Sequence, residues 1–204
     1  MNRKTIALLA AAPLLALFLP AALSAQGETH PAHEHGNAAL SVTVEQASID
    51  VDLSGPLASF ISFEHEPSTP EQRSEMTALV GKLTADAGAL FSFPAAWGCT
   101  LSKSSVDGEN IPEDILGHAH KAEGEGHSHA GAEADHGHSD GEAHSDLDAE
   151  FEFACTAIRP EGAALDASGL FNAFPNLQDL DVRVVSPQGQ RGAELSPSQS
   201  SFSW

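Results

Sequence analysis

Three His-x-His pairs recur at a nine-residue interval: His118-Ala119-His120, His127-Ser128-His129 and His136-Gly137-His138, with His144 following. Carboxylates trail each pair, Glu123 and Glu125, then Glu133 and Asp135, then Asp140 and Glu142. In an extended chain residues i and i+2 project to one side, so each pair can offer two imidazoles to one ion; a helix would separate them. Two pairs complete a four-coordinate nitrogen shell, and one pair with a carboxylate and water makes an open one, both acceptable to Zn²⁺. These seven histidines could hold about two ions at three or four ligands each. Imidazole also suits Cu²⁺, Ni²⁺ and Co²⁺, with intrinsic affinity favouring Cu²⁺, so the residues alone leave the metal open. The surrounding acids raise the local cation concentration and the capture rate. Ordering a Gly-rich stretch costs roughly 1–2 kcal/mol per fixed residue, which predicts moderate affinity and suits capture and handover. Only neutral imidazole binds, and its ordinary pKa is about 6.5, so binding should weaken below about pH 6.

A second candidate metal cluster stands at His30, His33 and His35, with Glu34 between the last two; the plainer reading is a solvated tail. His33-Glu34-His35-Gly36 is not the HExxH of a metalloprotease, because position 37 is Asn37. Glu64-His65-Glu66 reads first as a loop with a structural His65 hydrogen-bonded to its surroundings, and Glu64 and His65 are the weakest metal candidates. Cys99 and Cys155 are the only cysteines. As thiolates they would ligate zinc, but an exported chain and two strand positions favour a disulfide, which would close the residues between them and clamp the base of the His-rich loop. No nucleophile elbow, phosphate-binding glycine loop or spaced zinc-protease motif is present, so the chain is not expected to be an enzyme. Asp50-Val51-Asp52 sits in an alternating strand as its solvent face.

The elements that must position these groups can be read from periodicity. Leu40, Val42 and Val44 share one face of a strand, and Ile49, Val51 and Leu53 one face of the next, giving an antiparallel hairpin over 38–54. Thr69-Pro70 is a helix start, followed by Met76, Leu79, Val80 and Leu83 at helical spacing. Further strands are expected at 99–106, ended by an Asp107-Gly108 turn, at 151–155, at 180–185, at 193–195 and at the terminal 202–204; Pro187-Gln188-Gly189 is a turn, and a short helix lies around 167–173. The fold class is therefore α+β, an antiparallel sheet with two short helices. Apolar residues larger than Ala vanish between Leu116 and Leu147, so about 112–148 is expected to be a long disordered His-rich insertion.

Arg3 and Lys4 precede a 14-residue apolar run, Ile6 to Leu19, broken by Pro13, and small residues follow from Ala21 to Ala25. This predicts a signal peptide over 1–25 cleaved near Ala25, leaving a single domain over 26–204. The apolar run is short for a bilayer and nothing later approaches 18 apolar residues, so no membrane span is expected in the mature form. Nine basic against 29 acidic residues give a net charge of −20, which excludes nucleic acid and anionic lipid as partners.

Taken together, His33-Glu34-His35-Gly36 leading into Ala39-Leu40-Ser41-Val42, Phe63-Glu64-His65-Glu66-Pro67-Ser68-Thr69, Leu90-Phe91, Gly98-Cys99-Thr100-Leu101, the His-rich insertion, Phe151-Glu152-Phe153-Ala154-Cys155 and Leu170-Phe171-Asn172-Ala173-Phe174-Pro175 resemble, in order and spacing, the ZrgA-like periplasmic zinc-binding proteins. These segments span nearly all of the mature chain. Ser62 departs from the Gly of the family pattern, and 54–58 is a loose match. The resemblance implies a periplasmic protein that binds Zn²⁺ and supports its delivery to an inner-membrane zinc transporter, here expected as a monomer. The alternative is a periplasmic buffer or chaperone for copper or nickel in metal resistance, using the same ligands. A further rival is an acidic interaction module for a cationic partner.

Overall fold

The computed structural model describes residues 35–117 and 145–204. The expected signal peptide, His30, His33, and the seven histidines of 118–144 with the disorder expected around them lie outside the described residues. Eight strands and three α-helices follow in chain order: β1 (Asn37–Val44), β2 (Ser48–Pro56), α1 (Pro70–Leu83), β3 (Thr100–Gly108), α2 (Glu113–Leu116), β4 (Asp146–Ala154), β5 (Ala164–Asp166), α3 (Ser168–Ala173), β6 (Asp179–Ser186), β7 (Gly189–Leu195) and β8 (Ser201–Ser203). Six strands make one sheet in the order β3-β4-β2-β1-β6-β7, and β5 pairs with β8. The fold is α+β, with one departure from a purely antiparallel sheet: β1 and β6 run parallel.

The β1–β2 hairpin follows the alternation of its sequence. Leu40, Val42, Val44, Ile49, Val51 and Leu53 are all buried, in register as Leu40↔Leu53, Val42↔Val51 and Val44↔Ile49. Leu147, Ala149, Phe151 and Phe153 of β4 and Leu180, Val182 and Val184 of β6 extend the same apolar face. Helix α1 starts as expected. The Thr69 side chain accepts the Gln72 N–H and the Gln72 side chain accepts back from Thr69, a complete capping box with Pro70 at the first helical position. Its Met76, Leu79, Val80 and Leu83 are buried in the core with Leu170 and Phe171 of α3, Trp97 and Phe174.

Five elements depart from the sequence expectation, among them β7, which begins at Gly189 rather than 193 and takes in the end of the expected turn. Strand β3 continues through Asp107-Gly108, because Asp107 and Gly108 still pair with Asp148 and Leu147. Strand β4 begins at Asp146, five residues before the expected start, since pairing on both sides with β2 and β3 recruits the alternating Leu147 and Ala149. Helix α2 lies inside the expected insertion, where Ile111 and Ile115 reach the core and Asp114 meets Arg73 of α1. Strand β5 was not legible: three residues carry too little pattern, and the partner β8 lies at the end of the chain.

Candidate functional site

Cys99 and Cys155 form a disulfide. Its place differs from the expectation that it clamps the base of the His-rich segment. The bridge adjoins the Thr100↔Ala154 pair, whereas Gly117 and Ser145, between which 118–144 runs, lie past the Gly108↔Leu147 pair at the other end of the same ladder. Eight strand steps at about 3.3 Å each separate the two ends by roughly 26 Å. The β3–β4 ladder lies between them.

The entry of β4 at Ser145 is held by hydrogen bonds instead. Ser145 is buried; its carbonyl accepts the Leu57 N–H at 2.8 Å, and its hydroxyl accepts from the Asn110 side-chain amide. The same Asn110 amide donates to the Glu64 carbonyl at 2.7 Å. Asn110 thus bridges the entry of β4 to the Glu64 backbone, and the Glu64 carboxylate faces a histidine: Oε1 lies 3.6 Å from His35 Nε2. The Glu64 side chain is only 17% exposed, against 61% for His35.

His35 is placed by its own neighbours. Gly36, at φ +92°, turns the chain into β1 in a conformation that a side chain resists. Its N–H donates to the Ser59 hydroxyl at 3.1 Å, Ser59 donates on to the Asn37 carbonyl at 2.8 Å, and the Gly36 carbonyl accepts from Gln178 and Asp179. Ser59 and Ser145 are the only fully buried polar side chains among the described residues, and each lies within a bond or two of this pair. Sequence reasoning named His35 and Glu64 but in separate groups. It missed Ser59, Ser145 and Asn110, because a single Ser or Asn in an apolar or turn context carries no signal of its long-range partner.

His65 is exposed and stacks on Phe63, ring centroids 5.3 Å apart. Its Nδ1 donates to the Glu66 carbonyl, which can only accept, at 2.8 Å. The Gln72 side-chain amide meets the Nε2 of the same ring at 3.4 Å, its own oxygen being held by Ser68 and Thr69. The helix cap therefore orients His65. Among the described residues no three His, Cys, Asp or Glu side chains cluster closely enough to hold a metal ion.

The outer face of the sheet is strongly acidic. Asp52 stands opposite Glu150, Asp50 opposite Glu152, and Asp107 opposite Asp148. Partial burial, then the charges of Glu150 and Asp50, push the Asp52 carboxyl up; partial burial, then Asp146, Asp107 and Glu150, do the same for Asp148. Like charges facing one another across strands are unfavourable, and the field they create draws cations toward this side of the molecule.

A disulfide-bonded α+β domain that carries an acidic sheet face and holds a His–carboxylate pair beside the entry of a His-rich segment belongs to the class of proteins suited to handling cations outside a reducing compartment. The chain belongs to the ZrgA family: the model of that family, described as ZrgA family zinc uptake protein, matches residues 32–204. No curated protein matches the chain. Its role is thus in zinc uptake, and both the family and the disulfide accord with an exported protein. Among the described residues no helix is long and apolar enough to cross a membrane.

Proposed function

We propose that this protein, exported to the periplasm after cleavage near Ala25, captures Zn²⁺ with His118, His120, His127, His129, His136, His138 and His144 and supports its delivery to an inner-membrane zinc transporter. It acts as a monomer and makes no covalent change to any substrate. The observation that carries the reading is the coincidence, in one chain of a zinc uptake family, of three His-x-His pairs at fixed interval with carboxylates between them. Paired imidazoles supply the neutral nitrogen donors zinc prefers, and interleaved acids speed its arrival without closing the shell. The acidic sheet face adds to the same field.

The test is zinc calorimetry on residues 26–204 beside a variant in which the seven histidines become Gln while every acid is kept. Micromolar or tighter binding of about two ions by the native chain, lost in the variant, is expected. Equal binding by both would refute capture by this segment, and preference for Cu²⁺ or Ni²⁺ with no growth defect in zinc starvation would favour the buffer or chaperone reading instead.

A further inference from the structure

The six-stranded sheet ends differently at its two edges. At the β3 edge the register shifts between Leu101 and Lys103, Lys103 stands in mid-strand, and the Ser104 hydroxyl donates to the Thr84 carbonyl just after α1. Bulges, lysines and covering contacts are devices by which proteins keep an edge strand from pairing with another chain. Among the described residues the β7 edge has none of them. It pairs with β6 in unbroken register from Leu180↔Leu195 to Ser186↔Gly189, contains neither Pro nor Lys, and is exposed over 189–192 and at Glu194. We infer that this edge receives an extended segment of a partner protein, added antiparallel to β7, with a Lys or Arg opposite Glu194 and an Asp or Glu opposite Gly192. The inference goes beyond zinc handling and does not depend on it.

The ladder fixes which backbone groups face outward. The Asp179 N–H donates to the Gly36 carbonyl, on the β1 side of β6, so Leu180, Val182, Val184 and Ser186 turn their groups to β7. Gln190, Gly192 and Glu194, which pair with the intervening residues of β6, therefore direct N–H and C=O to the edge. The Arg191 guanidinium takes the Gln190 carbonyl at 2.8 Å; among the described residues the outward groups of Gly192 and Glu194 have no partner. An antiparallel strand laid against them gains a reciprocal pair of hydrogen bonds at each.

Side chains then select the segment. Gly192 and Glu194 share the outer face with their β6 partners Arg183 and Asp181. Asp181 and Glu194 are like charges directly opposed, an unfavourable pair that a cation on the next strand relieves. The Arg183 side chain makes no ion pair or hydrogen bond among the described residues. It borders a groove of about 620 Å³ whose lining includes the small residues Ala39, Ser41 and Gly192. With no side chain at Gly192 in the way, a carboxylate on the added strand lies within the combined reach of the two side chains, since two strand spacings put their Cα atoms roughly 10 Å apart. On the inner face, an apolar residue opposite Ala193 continues the surface of Leu195 and Val182. A second copy of β7 does not fit: centred on Gly192, it sets Gly192 opposite Gly192 and Gln190 opposite Glu194, and supplies neither charge.

The experiment follows the backbone amides of the metal-free mature chain by NMR and hydrogen exchange, with the synthetic peptide acetyl-Thr-Val-Lys-Val-Glu-Val-Thr-amide as probe. At millimolar concentration the peptide should shift and protect the amides of Gly192 and Glu194 and leave those of Lys103 and Ser105 unchanged. Exchanging its Lys and Glu should weaken binding by roughly tenfold. Arg183→Gln should weaken the first peptide by roughly two- to fivefold and the exchanged one not at all, and an unchanged melting temperature of that variant excludes misfolding as the cause. No protection at Gly192 and Glu194, protection of the β3 edge instead, or equal binding of the two peptides would overturn the inference. Self-association of the chain through the same amides without peptide would overturn it too, by making a second copy the occupant.

Discussion

Replacing both Cys99 and Cys155 by Ser should destabilise the domain without disturbing its zinc capture. The two cysteines are 56 residues apart in sequence. In the chain-entropy description, closing a loop of that size removes about 14 cal/mol/K from the unfolded ensemble, or about 4 kcal/mol at 25 °C. For a chain of this size each kcal/mol moves the melting temperature by roughly 2–4 °C, so the expected drop is about 8–16 °C. Little of that is native contact energy. The cysteines flank the Thr100↔Ala154 pair, and the β3–β4 ladder from there to Gly108↔Leu147 holds the two segments together with or without the bridge. The assay is thermal and urea unfolding of native, reduced and double-Ser protein, followed by zinc titration of each below its transition. The double-Ser protein should keep the native far-ultraviolet spectrum and show a larger urea m-value, since its unfolded chain exposes more surface. Zinc stoichiometry should not change, because the bridge lies at the end of the ladder away from Gly117 and Ser145. A shift below about 3 °C would refute the entropic reasoning, and a loss of zinc equivalents would refute the separation of bridge and His-rich segment.

Asp52→Asn should stabilise the protein at pH 7 by about 0.2–0.5 kcal/mol, a figure discounted for solvent exposure. The folded-state pKa of Asp52 is raised, so folding favours the protonated form and stability falls as pH rises through the window just above the ordinary carboxylate value of about 3.9; the gain should shrink to nothing below that window when measured by urea midpoints. Asp166 has the opposite sign. The Ser168 backbone N–H, with the hydroxyls of Ser168, Ser200 and Ser201, holds its carboxyl low, so Asp166→Asn should destabilise at pH 7 and lose its effect as pH falls through the depressed value. Gly169→Ala, in α3, would place a Cβ 2.0 Å from the Ala89 carbonyl oxygen and 2.9 Å from that of Leu90, both backbone, so it should lower the melting temperature despite the better helix propensity of Ala. Ser59→Ala should cost about 1–3 kcal/mol in chemical denaturation, because the Gly36 N–H loses its acceptor inside the fold.

Much of the scaffold was legible from local pattern. The β1–β2 hairpin shows strict alternation over Leu40 to Leu53, and α1 carries both its cap at Thr69 and its apolar face. Each is decided by side chains within a few residues of one another, and that is where periodicity has force. Strand β5, helix α2 and the early start of β4 lack such redundancy. They exist because a distant partner offers hydrogen bonds or an apolar surface: β8 for Ala164–Asp166, α1 for Asp114, and β2 with β3 for Leu147 and Ala149.

The candidate site divides along the same line. The sequence by itself determined the chemistry: eleven histidines, seven of them in the His-rich segment with acids interleaved, two cysteines to pair, and an acidic balance that repels nucleic acid and attracts cations. Ligand type and charge are properties of residues, and they survive any arrangement of the chain. Only the tertiary structure decided which groups meet. It set His35 against Glu64 across 29 positions of sequence, joined Glu64 to Ser145 through Asn110, and put the disulfide at the end of the ladder away from the segment it encloses. Those relations depend on strand register and on two buried hydroxyls, which are fixed by packing among residues far apart in the chain and leave no local trace in its order.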